Sequence, residues 1–387
     1  MVNVVHITTI DLSVRFLLWN QLKFLREAGF NVSTICSNGR WVEEIRQNGF
    51  NVETIEMKRG ISPGFDLITL WKLVKCFRKK KFDIVHTHTP KAGLLGQLAA
   101  RMAGVPIIVN TLHGFYFHDR MAPVLRRFYI TLEKIAARCS DVILSQSQED
   151  IQTALKERIC RSGKIKHLGN GIDLQRFNRA NIDAQLINQK RRELGLPSDA
   201  RVVGFVGRLV AEKGILELLQ ATRIVAQYIP AVRLLIVGPI DEGKSDALRP
   251  VITRDYDVSD LCVFTGLRQD MPELYALMDV FVLPSHREGF PRSPMEASAM
   301  GIPCVVTNIR GCRESVEQGC NGILVPLGNV RSLADAIIEL LTDHGKARKM
   351  GEEGRRISQE RFDEQIVFEK VKTEYKRLLY EKGIFFQ

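Results

Sequence analysis

Short apolar runs alternate with longer amphipathic stretches along most of this chain. In the first half the runs are "VNVVHIT" (2–8), "NVSTICS" (31–37), "NVETIEM" (51–57), "DIVHTHT" (83–89), "PIIVNTLH" (106–113), "DVILSQS" (141–147) and "KIKHLG" (164–169). Their length and their Val and Ile content predict β-strands. Helical periodicity fills most gaps, as in "VRFLLWNQLKFLREAG" (14–29), which Gly29 stops at a C′ position. A charged, loop-like stretch around 173–200 breaks the series. It then restarts with "RVVGFVG" (201–207), "VRLLIVG" (232–238), "CVFTG" (262–266), "DVFVLP" (279–284), "PCVVTN" (303–308) and "GILVP" (322–326). Strand–helix alternation implies right-handed βαβ units and parallel sheets. The expected fold is α/β, with two doubly wound domains over 1–172 and 173–361. A helical segment, 362–387, follows. Ligands of such sheets bind beyond the carboxyl ends of the strands, so candidate chemistry is sought there.

Composition narrows the class. A chain of 387 residues with 45% hydrophobic and 26% charged residues is an ordinary globular protein. Residues 1–25 lack a signal-peptide pattern, and no stretch reaches the apolar length of a membrane span. The eight cysteines include no Cys-x-x-Cys, and most sit in apolar segments, so buried free thiols are expected. Charge is lopsided. Residues 1–200 hold 30 Lys and Arg against 18 Asp and Glu, while residues 201–387 hold 25 against 26. The basic half points to an anionic partner: nucleic acid, an anionic membrane or a phosphorylated ligand. No nucleic-acid motif is present. The basic runs "KLVKCFRKKK" (72–81) and "HDRMAPVLRRFYITLEKIAAR" (118–138) read as solvated helix faces or, for the second, as an interfacial helix.

Strand-end segments carry the candidate chemistry. "HREGFPRSPMEAS" (286–298) follows a strand and opens a helix. Ser293, Pro294 and Glu296 fit an N-cap, first helical residue and capping-box acid, which gives Glu296 a structural reading. Glu288 lies in the loop before the cap and has no such role. The helix start favours an anion, with amides on Gly289, Phe290, Arg292, Ser293 and Met295 but none on Pro291 or Pro294. "GFVGRLVAEKGI" (204–215) places Gly207, Arg208 and Lys213 after another strand. It lacks the P-loop spacing, so the cations read as a diphosphate clamp or as surface charges. Gly266, Leu267 and Arg268 end a further strand, where a flat base could rest. In the first half, His86, His88 and His113 lie near strand ends. They read as core residues or as part of a site, and are too dispersed to indicate a metal. No dinucleotide fingerprint follows the first strand.

Together these segments resemble the retaining nucleotide-sugar glycosyltransferases of glycosyltransferase family 4, with the two-Rossmann GT-B fold. The resemblance spans the chain. "EGFPRSPME" is similar to the family's Glu-x7-Glu motif, "GRLVAEKG" to its Gly-Arg…Lys-Gly motif, and "LGNGIDLQRF" (168–177) to the segment leaving the N-terminal domain. "HITTIDLSVRFLLWNQLKFL", "THTPKAGLLGQLAARMAGVP" and "TLHGFYFHD" resemble a bacterial subset that builds surface polysaccharides or lipid-linked glycans. One departure is the loop after the first strand, "TTIDLS", where many members carry Gly-Gly.

The resemblance implies domains facing a central cleft, an acceptor-binding first domain and a nucleotide-sugar-binding second domain. The final helix would cross back to the first. Arg208 and Lys213 would bind the diphosphate, Glu288 the transferred sugar, and Glu296 the ribose. Residues 266–268 would hold the base, with Gly207, Gly289, Phe290, Pro291 and Ser293 lining the donor. His113 would sit beside the sugar, and Thr9, Ser13, Arg15, His88 and Lys91 on the acceptor side. The implied activity is retaining and metal-independent, without a cofactor. It moves a sugar from a nucleotide donor, with UDP expected, to a lipid-linked saccharide. The location implied is the inner face of the cytoplasmic membrane. A sugar-nucleotide epimerase or hydrolase, or a silent sugar-nucleotide-binding protein, is the alternative.

Overall fold

A computed structural model of the chain describes residues 1–118 and 121–385. Each of the thirteen apolar runs contains or overlaps one strand. The first seven are β1 (Asn3–Ile10), β2 (Asn31–Ser37), β3 (Asn51–Thr54), β4 (Ile84–Thr87), β5 (Ile107–Leu112), β6 (Val142–Ser145) and β7 (Ile165–His167). They form one parallel sheet in the order β3-β2-β1-β4-β5-β6-β7. The other six are β8 (Arg201–Val206), β9 (Val232–Val237), β10 (Cys262–Gly266), β11 (Val280–Leu283), β12 (Cys304–Thr307) and β13 (Gly322–Val325). They form a second parallel sheet, β10-β9-β8-β11-β12-β13. Central strands are buried on both faces, as in β5 and β11, which explains their unbroken apolar sequences. Edge strand β3 is largely exposed and shorter than its apolar run.

The chain divides into two compact units. The first is Met1–Gly169 with Gln365–Gln387, and the second is Asn170–Glu364. The last helix, Glu364–Glu381, thus folds mostly with the first sheet. Its Phe368, Val371, Leu378 and Leu379 are buried with Val4, Ile84 and Val109 on one sheet face. Four such side chains contribute roughly 6–12 kcal/mol of gross apolar burial, enough to hold a helix remote in sequence. The opposite face, built from Val5, Ile7, Val85 and Ile108, packs against helices Pro63–Lys80 and Pro90–Ala103 through Leu73, Phe77, Leu95 and Ala99. Val4/Val5 and Ile84/Val85 show the period of two that separates these faces.

Strand order reverses between β1 and β4, and between β8 and β11. Crossovers leave in opposite directions at each point and open a crevice at the strand ends. The first expected helix is more complex than its pattern. It begins at Asp11, passes through a π-helical segment at Val14–Leu18, and continues as Trp19–Glu27. All eight cysteines are free, though only Cys36, Cys304 and Cys312 are fully buried. Burial pushes the Cys36, Cys262 and Cys304 thiols up to about 12, so none is a ready nucleophile.

Candidate functional site

In the second unit, the loops after β8 and β11 meet at the switch point. Lys213 Nζ lies 2.5 Å from Glu288 Oε1, and the Ser285 hydroxyl donates to the same oxygen at 2.7 Å. The two charged side chains are only 16% and 9% exposed. Thr307 fixes the loop from below by donating to the Ser285 carbonyl at 2.5 Å. Gly214 makes the close approach possible. Its φ is +71°, and a Cβ there would fall 2.0 Å from the Pro284 carbonyl oxygen. Gly238, after β9, plays the same part for the other loop. A Cβ on it would lie 1.8 Å from the Gly207 carbonyl oxygen. Arg208 pairs with Asp241 at 2.5 Å but remains 42% exposed. Both predicted cations are therefore held beside acids at one strand-end crevice. Such pairs present an ammonium and a guanidinium to an anion while keeping them oriented.

The helix after Glu288 differs from its local pattern. It runs Arg292–Ala299 with Pro291 at the N-cap, and no side chain caps it. The expected capping box of Ser293 and Glu296 does not form. Pro291, at φ −69° and ψ 134°, already supplies the entry geometry, so the helix starts before Ser293. Glu296 is one turn in, where it accepts from the Tyr275 hydroxyl at 2.8 Å. Burial, and then the Glu296 charge, hold the Tyr275 phenol well above its usual range, so it stays a donor. Phe290 and Pro291 are buried, and Phe290 packs edge-on against Phe362. They shape the loop from behind. Ser293 offers its amide region and its carbonyl, which accepts from Tyr275 at 3.2 Å. Gly266, at φ +68°, and Leu267, 38% exposed, leave the end of β10 open. The Arg268 side chain is committed to Asp270 and Glu193, at 2.6 and 2.8 Å. Any base contact at this loop falls to its backbone and Leu267.

In the first unit, strand ends β1 and β4 meet at the other switch point. Thr9 is buried and its hydroxyl lies 2.9 Å from that of Thr89. Thr89 holds φ +61°, a strained value for a β-branched residue, at the start of helix Pro90–Ala103. His88 is fully buried, so it cannot touch an acceptor directly. Its nitrogens lie 3.0 Å from His6 Nδ1 and 3.2 Å from His113 Nε2. His86 is equally buried, between Tyr375 and Thr111. His6, His86 and His88 approach closely enough to hold a metal ion, but each of these ring nitrogens already has a hydrogen-bond partner. Arg15 bonds Glu44 at 2.6 Å among Phe16, Trp19 and Trp41, and Lys91 pairs with Asp66 at 2.5 Å. Both are thus tied to internal acids. Ser13 lies half-buried in the short helix after β1. That loop, "TTIDLS", is anchored by Asp11, whose carboxylate accepts from the Leu12 and Trp41 amides at 2.8 and 2.7 Å.

Residues outside the sequence reading complete these groups: Asp241, Tyr275, Ser285 and Thr307 in the second unit, and His6, Thr89, Thr111 and Tyr375 in the first. His6 lies two residues before Thr8 in a strand and shares its register with His86. That pairing is the one signal that strand alignment would have offered.

Two family models divide the chain. Residues 16–176 match the model described as Glycosyltransferase Family 4, and residues 187–357 match Glycosyl transferases group 1. The chain is 32% identical over 388 residues to the Staphylococcus aureus capsular polysaccharide biosynthesis glycosyltransferase CapM, covering 97% of each. It is 33% identical over 328 residues to the Escherichia coli UDP-Gal:alpha-D-GlcNAc-diphosphoundecaprenol alpha-1,3-galactosyltransferase, covering 84% of this chain and 83% of that one. The fold matches Anabaena HepE, crystallised with UDP and glucose, with a TM-score of 0.83 at 22% identity, over 97% of this chain and all of that one. The paired cations and acids of the second unit thus lie within the group 1 match, the histidines from His86 to His113 within the other, and the chain belongs to the family 4 glycosyltransferases.

Proposed function

We propose that this protein moves a sugar from a nucleoside-diphosphate donor, UDP being the expected nucleotide, to a hydroxyl of a lipid-linked saccharide. Transfer proceeds with retention and without a metal or cofactor. The observation that carries this reading is the Lys213–Glu288 pair beside Arg208, at a strand-order reversal. Departure of a nucleoside diphosphate builds negative charge on phosphate oxygens. Two fixed cations and the amides at the start of helix Arg292–Ala299 oppose that charge without reorganising. Glu288 accepts from hydroxyls of the transferred sugar. Glu296, oriented by Tyr275, accepts from the ribose, and the backbone after β10 receives the base. The leaving phosphate takes the proton of the acceptor hydroxyl. His113 and the loop after β1 serve the reacting sugar and the acceptor. The lipid-linked acceptor rests on the capsular and diphosphoundecaprenol relatives.

The first unit is also the basic one, with 30 Lys and Arg against 17 Asp and Glu. No helix among the described residues is long and apolar enough to cross a membrane. Helix Pro63–Lys80 exposes Leu67, Ile68 and Trp71 beside Lys72, Lys75 and Lys79, and helix Pro123–Cys139 exposes Val124, Leu125 and Phe128. Apolar residues among cations suit peripheral attachment to an anionic bilayer surface.

A donor panel read by nucleotide release, with and without lipid-linked saccharides from a bacterial membrane extract, tests the activity. Acceptor-dependent release, unaffected by EDTA and giving a product of unchanged anomeric configuration, is expected. Sugar freed or rearranged without an acceptor would instead make the protein a hydrolase or epimerase.

A further inference from the structure

The segment "LGNGIDLQRF" (168–177) carries the chain into the second unit, which begins at Asn170 and ends at Glu364. The entering and leaving segments lie side by side. The Ile172 amide donates to the Phe362 carbonyl at 2.8 Å, and the Glu364 amide donates to the Ile172 carbonyl at 3.1 Å. Ile172 and Asp363 thereby form a parallel bridge. Gly171 lets the two segments touch, since a Cβ there would fall 2.6 Å from the Glu364 backbone. Ile172 and Phe362 are both buried.

Both crossings hold the loop that carries Glu288. Asn170, itself buried, donates from its side-chain amide to the Phe290 carbonyl at 2.8 Å, while its oxygen accepts from the Gly171 amide at 2.9 Å. The Phe290 ring packs edge-on against Phe362. Arg292, the first residue of helix Arg292–Ala299, places Nη2 3.4 Å from Glu364 Oε2, and the Glu364 side chain is 7% exposed. On its other side the loop abuts Gly311, where a Cβ would fall 2.1 Å from the Gly289 carbonyl oxygen. The loop therefore has little slack. A buried carbonyl gives up a donor, and a buried carboxylate gives up a cation, only at a desolvation cost. A shift at Phe290 or Arg292 carries Asn170 and Glu364 with it. Glu364 also opens helix Glu364–Glu381, whose Phe368 and Val371 are buried in the core of the first sheet, so that shift meets a packed element and not a free end.

We propose that Asn170 and Glu364 are positioning residues for the loop 288–292, and that they couple nucleotide binding at this loop to the order of both crossings. This rests on the reading of the loop as part of the donor site. Such coupling is reciprocal. A nucleotide that fixes the loop tightens the crossings, and crossings held in register strengthen nucleotide binding. Each residue acts through its neighbour, Asn170 through the Phe290 carbonyl and Glu364 through the Arg292 guanidinium.

The test is hydrogen exchange of the full-length protein, read by mass spectrometry with and without saturating UDP, beside calorimetric titration of UDP. The Ile172 and Glu364 amides, both bonded across the crossings, are the reporters. In the wild type, UDP should slow exchange in 288–296. It should also slow exchange in 170–173 and 362–365 by about fivefold or more, the lower end of ordinary coupling between sites. Asn170→Asp keeps the oxygen that accepts from Gly171 but loses the donor to Phe290, and Glu364→Gln removes the charge facing Arg292. In either variant the slowing at the crossings should fall below about twofold while 288–296 stays protected, and UDP should bind about three- to tenfold more weakly, the size of one lost buried bond. A purely structural role would speed exchange at the crossings equally with and without UDP. That result would overturn the proposal. So would wild-type protein in which UDP protects 288–296 and leaves the crossings unchanged, a comparison that needs neither variant. No UDP binding, or binding that leaves 288–296 unprotected, would instead strike the donor reading, and the proposal with it.

Discussion

Glu288→Gln isolates a competition at the centre of the proposed donor site. Lys213 lies 2.5 Å from the Glu288 carboxylate, and both side chains are largely withdrawn from water. A diphosphate has to draw the ammonium away from this partner. Opposite unit charges about 4 Å apart interact by roughly 4 kcal/mol at the effective dielectric of a partly solvated site. Rehydration of the two groups offsets much of that, and the Ser285 hydroxyl stays with Glu288. About 1–2 kcal/mol remains, or roughly five- to thirtyfold in affinity. Glutamine keeps the shape and still accepts from Ser285, but it releases the lysine. Calorimetric titration at low salt should therefore find UDP bound more tightly by that factor. Transfer should move the other way. Losing the charged acceptor for sugar hydroxyls should lower kcat/KM by about 10²–10³. Opposite signs from one substitution are hard to obtain by general damage. Unchanged or weaker UDP binding would refute the competition, and unchanged transfer would refute the sugar contact.

Arg208→Ala should lower kcat/KM by about 10²–10³ in a nucleotide-release assay. Its melting temperature should hardly change, since the guanidinium is 42% exposed. Glu296→Ala should abolish the preference for UDP over its 2′-deoxy analogue, measured by competition. Tyr275→Phe should keep part of that preference while destabilising the protein by about 1–2 kcal/mol, read from thermal melts. Acid should loosen the first unit selectively. His6, His86 and His88 have folded pKa values below their unfolded ones, with His6 lowered to about 3. The unfolded chain then binds more protons, so their stability is present above about pH 6.5 and is lost as pH falls toward 3. The three tryptophans, Trp19, Trp41 and Trp71, all lie in that unit, so their fluorescence during melting at pH 7 and pH 5 reads it directly. An unchanged midpoint would contradict the burial of neutral rings.

The two sites differ in how far local sequence reveals them, and the difference is physical. Parallel strands buried on both faces leave continuous apolar runs, so every strand was visible, and "NVETIEM" overran only because β3 is an edge. In the second unit, Lys213 and Glu288 lie in short segments just after strands and Glu296 in the helix that follows Glu288, and spacing finds them. Even there the partners escape. Tyr275 reaches Glu296 across 21 positions, and no periodicity encodes that bond. Ser-Pro-x-Glu satisfied every local rule for a capping box, yet Pro291 began the helix earlier and freed Glu296 for Tyr275. In the first unit, "HTH" does show that His86 and His88 share a strand face. What that face meets depends on Tyr375, which is 289 positions away from His86. Local sequence therefore cannot tell a satisfied core histidine from one near a strand-end crevice here, because the rings are bonded to one another. His88 is buried and bonded like a core residue, and it is bonded to the half-buried His113. Loop chemistry is legible because one segment carries it. Chemistry assembled across strands and closed by a distant helix becomes legible only when register is known, and the β1–β4 pairing of His6 with His86 is that register.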